Sequence, residues 1–175
     1  HSDSARAVYK IKYFDMPDIG VDIGEIMGKM MKEARFTDDI DVILPVPLAK
    51  ERKRQRGFNQ SEMVAQGISY ATGIRVVTGA VSRVSFHGSQ TKRDRQGRTE
   101  NVENTFRLKN GKLVTGKHVL IVDDIVTTGA TIVAMAKQIT QLPGVRVSVA
   151  AIGFAGERIY ANSDDKDEED NIFSQ

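Results

Sequence analysis

Apolar positions along the chain fall first at the spacing of a helix. From Ile19 they recur at Ile23, Ile26, Met27, Met30, Met31 and Ala34, three- and four-residue steps that predict an amphipathic helix packed on a core. Residues 41–46, short and apolar, predict a buried strand stopped by Pro45 and Pro47, with a basic loop after it. Ser61 is placed to cap a second helix, whose Val64, Ile68 and Ala71 share one side before Gly73 ends it. A strand is expected at 74–77, then a long polar stretch from Arg83 to Asn104 that offers nothing for a core. The apolar run 118–122 ends in two acids, Asp123 and Asp124; 131–141 reads as helix and 146–154 as strand. Strands alternating with helices predict an α/β fold, a mostly parallel twisted sheet flanked by helices and carrying one long flexible loop. In such sheets ligands sit beyond the carboxyl ends of the strands.

Composition narrows this little. The 175 residues, 40% hydrophobic and 27% charged, suit one globular domain, expected over residues 1–160, and no apolar run approaches the length that spans a bilayer. The net charge of +2 hides an asymmetry: residues 164–170 contribute −5, which leaves +7 on the rest. Residues 161–175 are therefore expected to form an acidic, disordered tail on a basic body. Cysteine is absent, which excludes thiol catalysis and cysteine zinc sites within these residues and fits a cytoplasmic setting. The opening His1-Ser2 reads as a trimmed or internal start.

Chemistry concentrates between Val119 and Thr131. There a buried strand meets a helix through small and hydroxylated residues, so that backbone N–H groups and the helix's positive end converge on one spot, a ready phosphate cradle. Gly129 supplies a positive φ or a close approach, while Thr127, Thr128 and Thr131 supply hydroxyls. Asp123 and Asp124 would repel a phosphate unless they hold vicinal hydroxyls or a hydrated cation. A sugar phosphate satisfies both halves.

The thirteen residues from Val119 to Thr131 resemble the signature with which type I phosphoribosyltransferases bind 5-phosphoribosyl 1-pyrophosphate (PRPP). The resemblance extends from Tyr9 to Gly153 and points to the ComF-like competence proteins, on Pro45-Val-Pro-Leu, Arg56-Gly-Phe-Asn-Gln60, Ser89-Gln90, Arg98, Asn101 and Phe106. It implies that Asp123 and Asp124 hold the ribose hydroxyls, with Mg²⁺ through water or those hydroxyls, and that Thr127, Thr128, Gly129, Ala130 and Thr131 wrap the 5-phosphate. Purine-salvage members carry an acid where Thr127 stands; threonine is no general base near neutral pH, which disfavours oxopurine salvage. The family's amino-terminal cysteine-rich zinc module has no counterpart in these residues.

The resemblance also assigns the basic segments. Residues 50–56 take the position of the pyrophosphate loop, with Arg52 and Arg56 as the cations that would stabilise charge on the leaving group. Arg83, Lys92, Arg93, Arg95 and Arg98 belong to an expected lid over PRPP, Arg95 and Arg98 being its catalytic candidates. Any hood over an acceptor would have to come from residues 4–18 and those just after Gly153. Two functions remain open: phosphoribosyl transfer to an unidentified acceptor, or a non-catalytic module that binds PRPP or single-stranded DNA and works with DNA-uptake proteins. For the latter, the basic segments would track phosphates, with only Phe58 and Phe86 near enough to stack on bases. His87 and His118 lack a second ligand at metal-site spacing and read as structural or surface residues.

Overall fold

The computed structural model describes residues 17–84 and 105–154. The first stretch holds α1 (Pro17–Glu33), β1 (Val42–Pro45), α2 (Lys50–Arg56), α3 (Gln60–Thr72), β2 (Arg75–Val76) and β3 (Val81–Arg83). The second holds β4 (Phe106–Leu108), a 3-10 turn (Gly111–Leu113), β5 (His118–Val126), α4 (Ala130–Ile139) and β6 (Arg146–Phe154). Of the expected lid (83–104) residues 85–104 lie outside the described residues, as do residues 4–16 of the expected hood (4–18), whose Asp18 belongs to α1, and the acidic tail (161–175).

The main sheet runs β2-β1-β5-β6 with every pair parallel, and β3 and β4 form a separate antiparallel ribbon. Alternation along each strand splits the core in two. Val42, Leu44, Val119 and Ile121 face α4, where Ile132, Met135 and Ile139 meet them together with Val81 and Phe106 of the ribbon. Ile43, Leu120 and Val122 face the opposite layer, Val64, Ala65 and Ile68 of α3. The sheet is therefore covered on both faces, the α/β layering that the sequence predicts.

The helix bounds hold better than its buried face. Ile19, Ile23, Met27 and Met31 of α1 pack against the core, but Ile26 and Met30 are exposed; the residues α1 buries are Gly20, Gly24 and Gly28. This glycine stripe lets α1 and α3 touch backbone to backbone. A Cβ at Gly24 would strike the carbonyl of Val64, and one at Gly67 would strike that of Val21.

Three further expectations are corrected. The basic segment 50–56 is a helix, not a loop; Lys, Arg, Gln and Glu all favour helix, and Gly57 closes it at φ 79°. Strand β1 includes Pro45 and its pairing continues, Val46 N–H donating to the Val122 carbonyl at 2.9 Å. The Ile43 carbonyl accepts from Val77 on the β2 side, so the missing N–H of Pro45, two residues on, points past the end of that strand. Ser61 is not a cap: Asn59 occupies that position, without a side-chain capping bond, and Ser61 lies in the first turn of α3. Gly73 ends α3 at φ 78° as expected.

Candidate functional site

Strand β5 carries the site because it outruns its neighbour. Its register with β1 ends at Pro45 opposite Val122, whereas β5 continues beside β6 to Val126. Asp123 and Asp124 are thus strand residues, rather than the start of a loop, standing just beyond the last β1 partner at the carboxyl edge of the sheet. Asp123 is only 8% exposed. Its Oδ1 accepts from Ser61 Oγ at 3.1 Å and from the Asp124 backbone N–H at 3.0 Å. Burial, then the hydrogen bond and charge of Asp124, push the Asp123 carboxyl up to about 6, with the Ser61 and backbone bonds pulling the other way.

After Val126 the chain bends through Thr127, Thr128 and Gly129 into α4. Gly129 has φ 76° and a Cβ there would meet nothing, so its requirement is the left-handed conformation rather than close packing. The Thr128 hydroxyl accepts from the Ala130 N–H at 3.4 Å, and both threonines of the bend are exposed. Asp123, Thr127, Gly129, Ala130 and Thr131 line one open concavity with Ile125, Val126 and Ile132. The first-turn N–H groups of a helix have no intrahelical partner, so this concavity combines donors with a buried acid.

The candidate cations within the described residues stand on α2 and β3. Arg52 and Arg56 are exposed on α2, whose Lys53 and Arg54 are engaged with Glu62 at 3.1 Å and Glu51 at 3.9 Å. Arg83 is half-buried in β3 rather than in the long loop, its guanidinium 5.5 Å from the centre of the Phe106 ring. Burial and the neighbouring Arg52 charge lower its pKa, and Asp123 opposes them, so Arg52, Arg83 and Asp123 share one electrostatic neighbourhood. Arg95 and Arg98 fall outside the described residues.

Ser61, read from the sequence as a helix cap, is the site residue that sequence reasoning did not find, and Arg83, expected in the lid, stands on β3 instead. Nothing local marks Ser61, which meets Asp123 across 62 positions. Arg83 has a faint mark, the alternation of Val81-Ser-Arg-Val and Phe106-Arg-Leu on either side of the polar stretch, which pairs Arg83 with Phe106. His118 is structural: Nδ1–H donates to the Asp39 carbonyl at 3.1 Å, and Nε2 lies 2.9 Å from Ser148 Oγ.

Among the described residues no group of three or more His, Cys, Asp or Glu could hold a metal. The two adjacent carboxylates still fit Mg²⁺, which keeps most of its waters and takes one or two protein carboxylates beside ligand oxygens. Also among the described residues, no helix is long and apolar enough to cross a membrane.

The model of the phosphoribosyl transferase domain family matches residues 12–168, and the chain belongs to that family. Its curated relatives lie on the ComF-like branch. It is 32% identical over 133 residues to DNA utilization protein YhgH of Escherichia coli O6:H1, covering 74% of this chain and 58% of that one. To competence protein F of Haemophilus influenzae it is 28% identical over 124 residues, 69% of this chain and 54% of that one. The chain therefore spans less than two thirds of the length of these relatives. Glutamine PRPP amidotransferase from B. subtilis shares the fold, with a TM-score of 0.54 at 22% identity over 82% of this chain and 30% of that structure.

Proposed function

We propose that the chain binds PRPP with Mg²⁺ at the carboxyl edge of β5 and donates its phosphoribosyl group to an acceptor nucleophile. The observation that carries this reading is the pairing of a crowded, buried acid with an open concavity at a helix start, on one strand end. In this reading the 5-phosphate takes the N–H groups and hydroxyls of Thr127, Thr128, Gly129, Ala130 and Thr131. Asp123 and Asp124 accept from the ribose hydroxyls and would, through water or those hydroxyls, hold Mg²⁺, which would supply positive charge to the diphosphate. During transfer the nucleophile's electron pair forms the new bond to the anomeric carbon as the carbon–oxygen bond to pyrophosphate breaks. Arg52 and Arg56, joined by Arg95 and Arg98 from the lid, meet the negative charge that leaves with pyrophosphate. A cytoplasmic setting fits the cysteine-free composition.

Ligand binding is tested by thermal unfolding with Mg²⁺ and PRPP, where about 100 Kd of ligand adds about 2.7 kcal/mol. The melting temperature should rise, and the joint change Asp123→Asn with Asp124→Asn should abolish the rise. An unshifted wild type at saturating PRPP overturns the reading. Transfer is tested by pyrophosphate release across a panel of acceptors.

The exposed basic helix α2 and the names of the relatives favour a second reading, an accessory that binds single-stranded DNA beside DNA-uptake proteins. Fluorescence anisotropy with a labelled strand across a salt series tests it; phosphate tracking requires affinity to fall steeply with salt.

A further inference from the structure

Strand β6 ends the main sheet, and among the described residues no strand pairs with its outer side. Its offset from β5 is constant from Arg146 to Phe154, and the Arg146 N–H donates toward β5, to the Lys117 carbonyl at 3.0 Å. Backbone direction alternates along a strand, so Val147, Val149, Ala151 and Gly153 turn their N–H and carbonyl groups outward. The bulges, prolines and charges that guard such an edge are missing: β6 holds no Pro, Lys or acid, and Arg146 is ion-paired with Asp39. Val149 and Phe154 are exposed. Helix α1 adds an apolar flank on the same side. Gly24 and Gly28 abut Val64 and Ile68, so α1 runs in the direction of α3, whose first turn meets Asp123 at the carboxyl edge. Around α1 the core-facing Ile23 and Met27 come next to those glycines, and Met30 and Ile26 follow on the flank turned away from α3. Because α3 stands over β1, β2 and β5, and Ala150 and Ile152 of β6 join the buried layer that α1 covers, that flank lies above the free edge. Ile26 and Met30 are more than half exposed there.

We infer that this face is a self-association surface, on which a second copy of the chain docks about a two-fold axis through Ala150 and perpendicular to the sheet. Antiparallel pairing about that axis sets Val147 against Gly153 and Val149 against Ala151 of the second copy, so outward backbone groups meet outward groups and each larger side chain faces a smaller one. Strand β6 and helix α1 are both about 25 to 30 Å long, which brings Ile26 level with the axis and onto its own copy. Asp22 and Lys29 stand about one turn to either side of Ile26, so the same axis sets each against the opposite charge. An unrelated strand would pair with the edge but leave the α1 flank bare; a second copy covers both. The inference stands apart from the PRPP reading, since antiparallel strands point the two carboxyl edges, and their concavities, in opposite directions.

Sedimentation velocity across a concentration series tests this, and the chain should pass from monomer to dimer. Val149→Lys, which charges the edge, and Ile26→Asp, on the exposed flank, should each weaken association by about tenfold or more while the variants still unfold cooperatively. The second carries the test if the first does not fold. Cysteine is absent from the chain, so Ala150→Cys offers a single thiol at the axis. Its α-carbon would lie about 4.5 Å from that of the second copy, within disulfide range, and mild oxidation should cross-link the pair. A chain that stays monomeric up to about 100 μM, as it would if another of its own segments covered the edge, overturns the inference. So does a dimer that neither substitution weakens and that Ala150→Cys does not cross-link.

Discussion

At the amino end of β5, His118 is matched on every side. Its backbone N–H donates to Asp41 Oδ2 at 2.7 Å, its carbonyl accepts from the Asp41 N–H at 2.9 Å, and both ring nitrogens are engaged. Arg146 adds an ion pair to Asp39 at 3.1 Å. At the carboxyl end Asp123 is equally buried, yet it is pressed against a second acid, and Arg52 and Arg83 share its electrostatic neighbourhood. One strand thus carries a polar cluster that stabilises the fold and another that costs stability. The contrast supports the proposed site: unfavourable electrostatics persist where a ligand can resolve them.

The largest effect should come from breaking the satisfied end. His118→Ala removes two part-buried side-chain hydrogen bonds and the packing of the ring, and should cost about 3 kcal/mol in urea unfolding, with the PRPP-induced thermal shift retained. Next, Asp123→Asn should stabilise the ligand-free chain by about 2 kcal/mol at pH 7. The sign follows from a folded-state pKa of about 6 against an ordinary value of 3.8: the native state holds its proton longer, so stability falls as pH rises from about 4 to 6 and is level above. The asparagine variant should lose that fall, and a pH series of urea midpoints checks it. Gly129→Ala, which forces φ 76° on a residue with a Cβ, should cost about 1 kcal/mol and weaken phosphate binding more than it lowers the melting temperature. The smallest change is Ser61→Ala. It should cost under about 1 kcal/mol and move the Asp123 titration, followed by carboxyl NMR, further above 6.

The two ends also differ in how far the sequence exposes them. The Asp123–Thr131 bend is contiguous, so its acids, hydroxyls and positive-φ glycine are readable together, and the flanking strands and helices are placed by their apolar runs. The partners of that bend are not contiguous. Ser61 carries the marks of a capping residue, and only the passage of α3 over the strand end turns its hydroxyl toward Asp123. Arg83 looks like part of a long charged loop until antiparallel pairing draws it into β3. On α1, periodicity identifies a helix but weights Ile26 and Met30 by hydrophobicity, whereas the buried face is chosen by how closely α3 approaches, and glycine scores nothing on such a scale.

That approach has a consequence for the site. The reciprocal fit of Gly24 against Val64 and of Gly67 against Val21 leaves the two helices a single axial registration, since any slide brings a side chain onto a facing backbone. A slip of one turn, about 5.4 Å, would carry Ser61 out of reach of the acid it steadies. The height of that hydroxyl at the strand edge is therefore gauged by two glycines that contact no ligand.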